Sequence, residues 1–387
     1  SSAASDVYKR QVLAATILVS VIVVSDALAA PKAPKKAAVK APVVVKNDPD
    51  PADKTDLPKS GDDSGDIGAA REDAAREKAV NERYRMDAEM NRIRRHFLDG
   101  RLKDLESALM SYAQKYDVAA NREYHFYMGF SQESRGDYRK AVESYLRAIE
   151  INPGYARARN SLGNLYCRLR KYHFALPHYK KALEINGYNP FIHYNIGSLY
   201  FETGDLDNAL PHLLKAVEYK RNYGNAYHKL GVLMFMKKQY LQAIGYFNHA
   251  VSFNTEFHST HYYVGLSYYF LEKGSLAITS LKKALRMKPD FFEAALELGK
   301  VHHSYGEFTY ALEYYKKANA INPDYHDLKL RMVECYRELK RYQEAIALVR
   351  ALAAREPENE LLQRYLKNLQ ERRLMENLDN PYDLYSY

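Results

Sequence analysis

The sequence predicts an all-α protein: a right-handed α-solenoid of about seven helix pairs, closed by a C-terminal capping helix. Two observations predict this fold. Chemically similar residues recur every 34 positions over most of the chain. Between them, apolar residues recur at spacings of three and four, the period of an amphipathic helix. A unit of two such helices cannot bury both apolar faces alone, so neighbouring units must stack.

Five kinds of position carry the repeat. Glycines occupy one column, alanines two, and large side chains stand between the alanines, while prolines close several units. The columns are Gly129, Gly163, Gly197, Gly231, Gly265 and Gly299; Ala141, Ala175, Ala209, Ala243, Ala277, Ala311 and Ala345; Tyr145, Tyr179, Leu213, Phe247, Leu281 and Tyr315; Ala148, Ala182, Ala216, Ala250, Ala284 and Ala318; and Pro153, Pro289, Pro323 and Pro357. We expect the small residues to lie where two helix axes approach, with the large side chains beside that contact.

A second glycine position marks the turn inside each unit. Gly136, Gly204 and Gly306 stand between the two helices, where a left-handed residue ends a helix. In the fifth unit the corresponding glycine is expected at Gly274. The last unit has Val333 in the glycine column and Leu352 in the second alanine column, which predicts looser packing there.

These columns resemble the tetratricopeptide repeat family, whose unit is a helix–turn–helix of 34 residues with this Gly, Ala, Tyr/Phe, Ala, Pro pattern. The resemblance covers about residues 122–357. It implies that the first helix of each unit lines an inner groove. In the middle repeats the groove would then show aromatic side chains suited to a peptide, with Tyr194, Phe201 and Tyr269 foremost. The full aromatic set is Phe191, Tyr194, Phe201, Phe235, Tyr262, Tyr269 and Phe270.

Some members of this family hold a C-terminal carboxylate with a clamp of asparagines and cations. Here Asn164, Asn195 and Lys229 match the clamp, whereas Asn160 and Asn225 stand where lysines are expected. Two of its three positive charges are therefore missing. The resemblance then implies a row of amides that can bond the main chain of an extended segment.

The N-terminal residues predict export. Residues 1–30 are interpreted as a signal peptide or an N-terminal anchor, because Lys9 and Arg10 precede the apolar run Val12–Val24 and small residues follow up to Ala30. That run is shorter than the roughly 20 residues that a membrane span needs. Residues 31–65, rich first in Pro, Ala and Lys and then in Asp, are predicted to be a disordered linker. We therefore expect an exported protein, periplasmic or associated with the cell envelope, with a possible membrane tether through its N-terminus.

Helical segments are predicted on both sides of the repeats. Residues 66–121 form a helical N-terminal extension that includes a degenerate repeat, and residues 122–357 form the solenoid. Residues 358–375 form the capping helix, and residues 376–387 a loose tail. The capping helix would cover the open end of the solenoid with Leu362, Tyr365, Leu366 and Leu369.

Motifs of the common catalytic, phosphate-binding and metal-binding classes do not occur in the sequence. The nearest metal candidates are His258 with His261 and the adjacent His302 and His303, but the first pair lacks a third ligand and the second pair points to different faces of a helix. We therefore expect neither an enzyme nor a bound cofactor or metal.

The composition restricts the partners further. The net charge is +9, yet the basic residues are spread along the chain and form no continuous stripe, so nucleic acid is not an expected partner. The chain has 35 tyrosines and no tryptophan, which suits much half-buried surface.

Cys167 and Cys335 are expected to remain free thiols, because a stack of helix pairs separates them beyond the reach of a disulfide.

The predicted function is a non-enzymatic, exported scaffold or adaptor that binds a protein or peptide in the concave groove. Two alternatives stay open. One is a ligand-binding accessory protein of an envelope transport system, which would use the aromatic groove for a small apolar molecule. The other is a structural component of an envelope or motility assembly that packs through its outer surface.

Overall fold

The computed structural model describes residues 67–255 and 257–379. Within these ranges the protein contains seventeen helices and no strand. None of the described helices combines the length and the apolarity that crossing a bilayer requires. The predicted signal peptide or anchor, the predicted linker and residues 380–387 of the predicted tail lie outside the described residues.

The helices are joined by short turns. In chain order they are α1 (Ile67–Leu98), α2 (Leu102–Lys115), α3 (Arg122–Arg135), α4 (Tyr138–Ile151), α5 (Ala156–Arg168), α6 (Tyr172–Ile185), α7 (Pro190–Glu202), α8 (Leu206–Tyr219), α9 (Gly224–Met236), α10 (Tyr240–Ser252), α11 (His258–Phe270), α12 (Gly274–Met287), α13 (Phe292–Ser304), α14 (Phe308–Ile321), α15 (His326–Glu338), α16 (Tyr342–Ala353) and α17 (Glu360–Asp379).

The chain divides into two compact units, with the boundary between Ala141 and Val142. The described part of the first unit consists of α1, α2, α3 and the first residues of α4. Phe97 of α1 is buried there, and its ring centroid lies 4.6 Å from that of Phe130 and 5.2 Å from that of Tyr127. Residues 74–85 of α1 are all exposed. The apolar contacts of this helix therefore come from its C-terminal half.

The second unit confirms the predicted all-α solenoid of helix pairs. Its described pairs run from α5–α6 to α15–α16, and α17 follows them. In this unit the alanines of both columns, from Ala148 to Ala345, are fully buried, with 0% exposure. The large side chains between them are buried as well, at 2% exposure or less. The repeated residues of the sequence therefore form the core.

The glycine column has a more specific role than the sequence indicates. A Cβ atom on Gly231 would lie 2.6 Å from two ring carbons of Phe247, and one on Gly299 would lie 2.3 Å from ring carbons of Tyr315. Real Cβ contacts are not this short. Each glycine therefore provides the space that the large side chain of the same helix pair occupies.

The last helix pair changes both members of this contact. Val333 replaces the glycine, and Val349 stands where the other pairs have Tyr, Phe or Leu. Both valines are fully buried in one core cluster. A larger residue on α15 is thus accompanied by a smaller one on α16. Leu352, which stands in the second alanine column of this pair, is 5% exposed.

Every turn inside a helix pair of the second unit has a left-handed residue at the same repeat position. Glycine fills it at Gly204 and Gly306, whereas Arg170, Lys238, Glu272 and Lys340 adopt φ values of 56° to 60°. The expectation that Gly274 marks the fifth turn is wrong, because the left-handed residue there is Glu272. Gly274 is instead the first residue of α12, and a Cβ on it would lie 2.3 Å from the ring of Tyr305.

Two glycine-to-alanine substitutions are expected to change stability in opposite directions. Gly204 has open space around its Cα and a φ of 81°, so Gly204→Ala should cost about 1 kcal/mol through backbone strain alone. Gly245 lies in α10, also with open space, so Gly245→Ala should stabilise the fold by up to about 1 kcal/mol. Urea unfolding of both variants checks this, and equal effects would contradict the assignment of Gly204 to a strained turn.

The last described helix covers the C-terminal end of the solenoid. Leu369 of α17 is fully buried, and Tyr365 and Leu366 pack against the same core cluster. Leu362 joins a small cluster with Leu352. This is the predicted capping helix, although α17 extends to Asp379, into the segment that the sequence predicts to be a loose tail.

Candidate functional site

The predicted groove residues all lie on α5, α7, α9 and α11, the first helices of four successive pairs. We call the side of these helices that carries them the groove face. Asn164 is exposed, and the other eleven residues are half-buried. They fall into a polar group, centred on α5 and α7, and an aromatic group that extends to α11.

The polar group is organised by a pair of amides. The Nδ2 group of Asn195 on α7 donates a hydrogen bond to Oδ1 of Asn160 on α5, at 2.9 Å. Among the described residues neither side chain has another hydrogen-bond partner, so the pair keeps one free amide nitrogen and one free amide oxygen. The same holds whichever amide donates, because each primary amide has both functions.

A shallow cavity of about 350 Å³ adjoins this pair. Asn164 lines it, and its Oδ1 accepts a hydrogen bond of 2.6 Å from the hydroxyl of Tyr179. The side-chain oxygen of Ser198 is buried at the cavity wall without a hydrogen-bond partner among the described residues. Arg168 and Arg170 complete the rim. The cavity therefore offers donors and acceptors to a polar ligand.

The single cation of the predicted clamp is already engaged. Nζ of Lys229 on α9 lies 3.2 Å from Oε1 of Glu202 on α7. It also lies 4.8 Å from the ring centroid of Phe201, a cation–π distance. Asn225, at the start of α9, does not line the cavity. The clamp positions therefore present amides and a neutralised lysine.

Phe191 and Tyr194 pack against the next repeat. Their ring centroids lie 5.3 Å and 5.0 Å from that of Tyr223, which is buried at the start of α9. Burial and the neighbouring Tyr194 raise the pKa of Tyr223 above its ordinary value. Both predicted groove residues thus also stabilise the contact between repeats.

The remaining aromatic residues form a chain of ring contacts. Phe235 contacts Phe270 at 6.0 Å, and Phe270 stacks on Tyr240 at 4.9 Å. Tyr269 lies 5.8 Å from Phe270. Tyr262 contacts Phe291 of the following repeat at 5.2 Å, and burial raises its pKa well above the ordinary value. The groove face therefore changes from amides to packed rings along the solenoid.

Sequence reasoning missed Ser198 and Glu202. A signal for them exists, because Ser198 follows Asn164 by 34 residues and Glu202 follows Arg168 by 34. They occupy the same face of the next first helix. The repeat register could therefore have placed both residues at the cavity.

The histidines and cysteines that the sequence singled out lie in packed surroundings. His302 contacts Oε2 of Glu307 at 2.5 Å, while the ring of His303 meets the edge of Phe308. His258 packs on Phe291. The two thiols are free, and burial raises the pKa of Cys335 to about 12.

A pair of histidines on α7 and α8 is joined to a backbone carbonyl. Nε2 of His193 lies 3.2 Å from the carbonyl oxygen of Gly187, and its Nδ1 lies 3.1 Å from Nδ1 of His212. Because a carbonyl only accepts, Nε2 of His193 carries the hydrogen. Nδ1 of neutral His193 is then an acceptor, and His212 donates to it. Burial, followed by the nearby His193, lowers the pKa of His212 to about 4.

We expect the fold to lose stability as the pH falls from about 6.5 to about 4. Burial also lowers the pKa of His228 to about 4, so in this window the unfolded chain binds protons that the folded chain does not. Urea unfolding at several pH values checks this. In the variant His212→Gln/His228→Gln the unfolding free energy should change less steeply with pH than in the wild type. An unchanged pH dependence would contradict its assignment to these two histidines.

Comparisons with known proteins agree with the helix pairs. Profiles described as tetratricopeptide repeat match residues 156–189, 265–326 and 303–369, and one described as TPR repeat matches residues 134–170 and 197–238. Together these matches cover more than half of the chain. No match is found among curated proteins.

Solved structures show the same kind of fold. The C-terminal part of a TPR repeat-containing protein from Cytophaga hutchinsonii matches with a TM-score of 0.51 and 19% identity, covering 61% of this chain and 97% of that one. PilW, described as a type IV pilus biogenesis factor, matches at 0.47 and 21%, covering 55% and 98%. YrrB, described as a TPR protein with an unusual peptide-binding site, matches at 0.41 and 22%, covering 48% and 95%.

Proposed function

Because the chain belongs to the tetratricopeptide repeat family, a family of protein-interaction scaffolds, we propose that it is a non-enzymatic, exported scaffold that holds an extended segment of another protein on its groove face. The segment lies across α5 and α7, beside the amide pair and the cavity. The aromatic residues that follow on α7 and α9 contact its apolar side chains. No covalent chemistry is part of this function.

The amide pair is the observation that carries the proposal. Asn160 and Asn195 satisfy each other once and keep one donor and one acceptor. A peptide unit of an extended chain has the complementary groups, one N–H and one C=O. Two amides fixed against each other are oriented before the ligand arrives, which lowers the cost of ordering them on binding.

The charges favour an internal segment over a C-terminal carboxylate. Glu202 neutralises Lys229, the one lysine of the clamp, so that site holds no net positive charge for a chain terminus. Arg168 and Arg170 stand at the cavity rim instead. The exposed Arg170 would favour an acidic side chain near the bound peptide unit.

Export rests on the N-terminal sequence alone. A basic pair, an apolar run and small residues occur in the order of a secretory signal between Lys9 and Ala30. N-terminal sequencing of the protein recovered outside the cytoplasm should start near Ala30 or Pro31. Recovery of a cytosolic protein that retains Val12–Val24 would contradict export without affecting the groove.

Peptides selected from a random display library on the full chain test the groove. Asn195→Ala should weaken their binding about tenfold, because it removes one hydrogen bond and leaves Asn160 without its partner. The matched control is Asn248→Ala, which removes an exposed amide from α10. Replacing the peptide units one at a time with N-methylated units should reproduce the loss at one position.

Two results would overturn the proposal. Equal affinity of both asparagine variants would place the peptide elsewhere. A set of binders whose affinity depends on a free C-terminal carboxylate, and falls when it is amidated, would replace main-chain recognition by a carboxylate clamp.

A further inference from the structure

The turn between α6 and α7 contains an asparagine followed by a glycine, Asn186–Gly187. This is the one Asn-Gly sequence in the chain. Both residues are exposed, and so is Tyr188 beside them. An asparagine side chain can lose ammonia to the backbone nitrogen that follows it, and glycine hinders this reaction least because it has no side chain. The turn therefore contains the residue pair that is chemically most prone to deamidation.

The backbone nitrogen of Gly187 is available for this reaction. Among the residues that the structure describes, it has no hydrogen-bond partner. The turn after α10 differs, because its Asn254 is followed by Thr255, whose backbone nitrogen donates a hydrogen bond of 3.0 Å to the carbonyl oxygen of Ala250. The two turns thus differ in whether the attacking nitrogen is already engaged.

Other repeats have a proline at the position of Gly187. Pro153 and Pro323 stand there, and each is preceded by an asparagine, Asn152 and Asn322. A proline nitrogen carries no hydrogen, so it cannot complete the ring through which deamidation proceeds. The chain therefore contains protected versions of the same turn, which serve as internal controls.

The turn is held loosely enough to react. The ψ angle of Asn186 is 83°, which directs the Gly187 nitrogen away from the side chain, so this bond must rotate first. Across the turn the described backbone makes one long hydrogen bond, 3.4 Å from the nitrogen of Asn189 to the carbonyl oxygen of Asn186. Loop motions are many orders of magnitude faster than deamidation, so a rarely populated open turn is sufficient.

We propose that Asn186 deamidates in the folded protein and that the product weakens the junction between α6 and α7. The Gly187 nitrogen bonds to Cγ of Asn186, and the amide group leaves as ammonia together with the hydrogen of that nitrogen. Water then opens the resulting succinimide at either carbonyl, which yields aspartate or isoaspartate. In isoaspartate the main chain runs through Cβ and Cγ and is one carbon longer. The proposal does not depend on what the groove face binds.

Two contacts at the junction oppose the product. The new carboxylate stands at the C-terminal end of α6, where the helix dipole is negative and the acidic Glu184 is two residues away. Nε2 of buried His193 donates to the carbonyl oxygen of Gly187 at 3.2 Å. The longer main chain of isoaspartate displaces this carbonyl and leaves a buried N–H group unpaired. Aspartate brings the charge alone, whereas isoaspartate brings both effects.

Peptide mapping of the full chain after prolonged incubation at mildly alkaline pH tests the site. The peptide that contains Asn186 should gain about 1 Da and become a substrate of protein isoaspartate methyltransferase, whereas the peptides with Asn152 and Asn322 should stay unchanged. A synthetic peptide with the sequence of residues 182–192, incubated in parallel, gives the rate of the unrestrained chain. An unmodified Asn186 in the protein, once this peptide has fully reacted, overturns the proposal.

Melting temperatures test the effect on the junction. Incubated wild-type protein should melt about 2–4 °C below fresh protein. Gly187→Pro copies the turn after Asn152 and blocks the reaction, and Asn186→Gln cannot form the five-membered ring, so incubation should leave the melting temperatures of both variants unchanged. Asn186→Asp should show a smaller decrease, since it adds only the charge. Incubated wild-type protein that contains isoaspartate but melts like fresh protein would show that the junction is not weakened.

Discussion

Gly231→Ala is expected to lower the free energy of unfolding by about 2–3 kcal/mol, although it adds a single methyl group and replaces glycine, a poor helix former, with alanine, the best. The new Cβ would lie 2.6 Å from ring carbons of Phe247, which is itself fully buried. A shift of either helix away from this clash would disturb the contacts of the buried alanines on either side of Phe247. Urea unfolding measures the loss, and Gly245→Ala is the matched control with open space around it.

A compensating substitution separates this clash from a general effect on helix α9. The pair α15–α16 already contains such a combination, since Val333 stands at the position of Gly231 and Val349 at the position of Phe247, and both are buried. Phe247→Val alone should destabilise the fold by leaving a cavity, by roughly 2–3 kcal/mol. The loss of unfolding free energy in the double variant Gly231→Ala/Phe247→Val should be smaller than the sum of the two single losses by at least about 1 kcal/mol. Strict additivity would show that Gly231 and Phe247 do not share this space.

Phe201→Ala is expected to weaken the binding of a selected peptide about 30-fold, which corresponds to about 2 kcal/mol. Phe201 lies beneath Lys229 and next to Glu202, one of the residues that line the cavity. In the proposed complex, a ring at this place would contact an apolar side chain of the bound segment. The matched control is Phe174→Ala on α6, where the ring is 49% exposed. A loss of binding in both variants, or in neither, would contradict an anchor at Phe201.

Tyr194 is expected to behave differently from Phe201. Its ring contacts buried Tyr223, so Tyr194→Ala should lower stability by roughly 1–3 kcal/mol in addition to any effect on binding. The sequence treats Tyr194, Phe201 and Tyr269 alike, since all three stand on first helices. The structure distinguishes them by their neighbours. A melting temperature unchanged by Tyr194→Ala would contradict this distinction.

The fold could be predicted from the sequence because the residues that make the core contacts recur in every repeat. Ala209, Ala243 and Ala277 each identify a point where two helices meet, and the columns align the whole solenoid. Turn conformation was less predictable. Glycine predicted the left-handed residue at Gly204 and Gly306, but Arg170 and Glu272 adopt the same conformation because the packed helices on either side impose it.

The site was predictable residue by residue but not as an arrangement. The family pattern pointed to Asn160 and Asn195 as members of a row, whereas their hydrogen bond depends on the spacing and rotation between two repeats. The pairing of Lys229 with Glu202 also crosses a repeat boundary. Contacts of this kind are set by how the units stack, and no single unit contains the information.

The central claim is that an extended segment binds across α5 and α7 on the groove face, and site-specific photo-crosslinking tests it most directly. A photo-reactive benzoylphenylalanine is introduced in place of exposed Asn164 on the groove face or in place of exposed Phe174 on α6. A peptide selected on the full chain should crosslink at residue 164, and this product should disappear with excess unlabelled peptide. Crosslinking at residue 174 instead, or equally at both positions without competition, would contradict the claim.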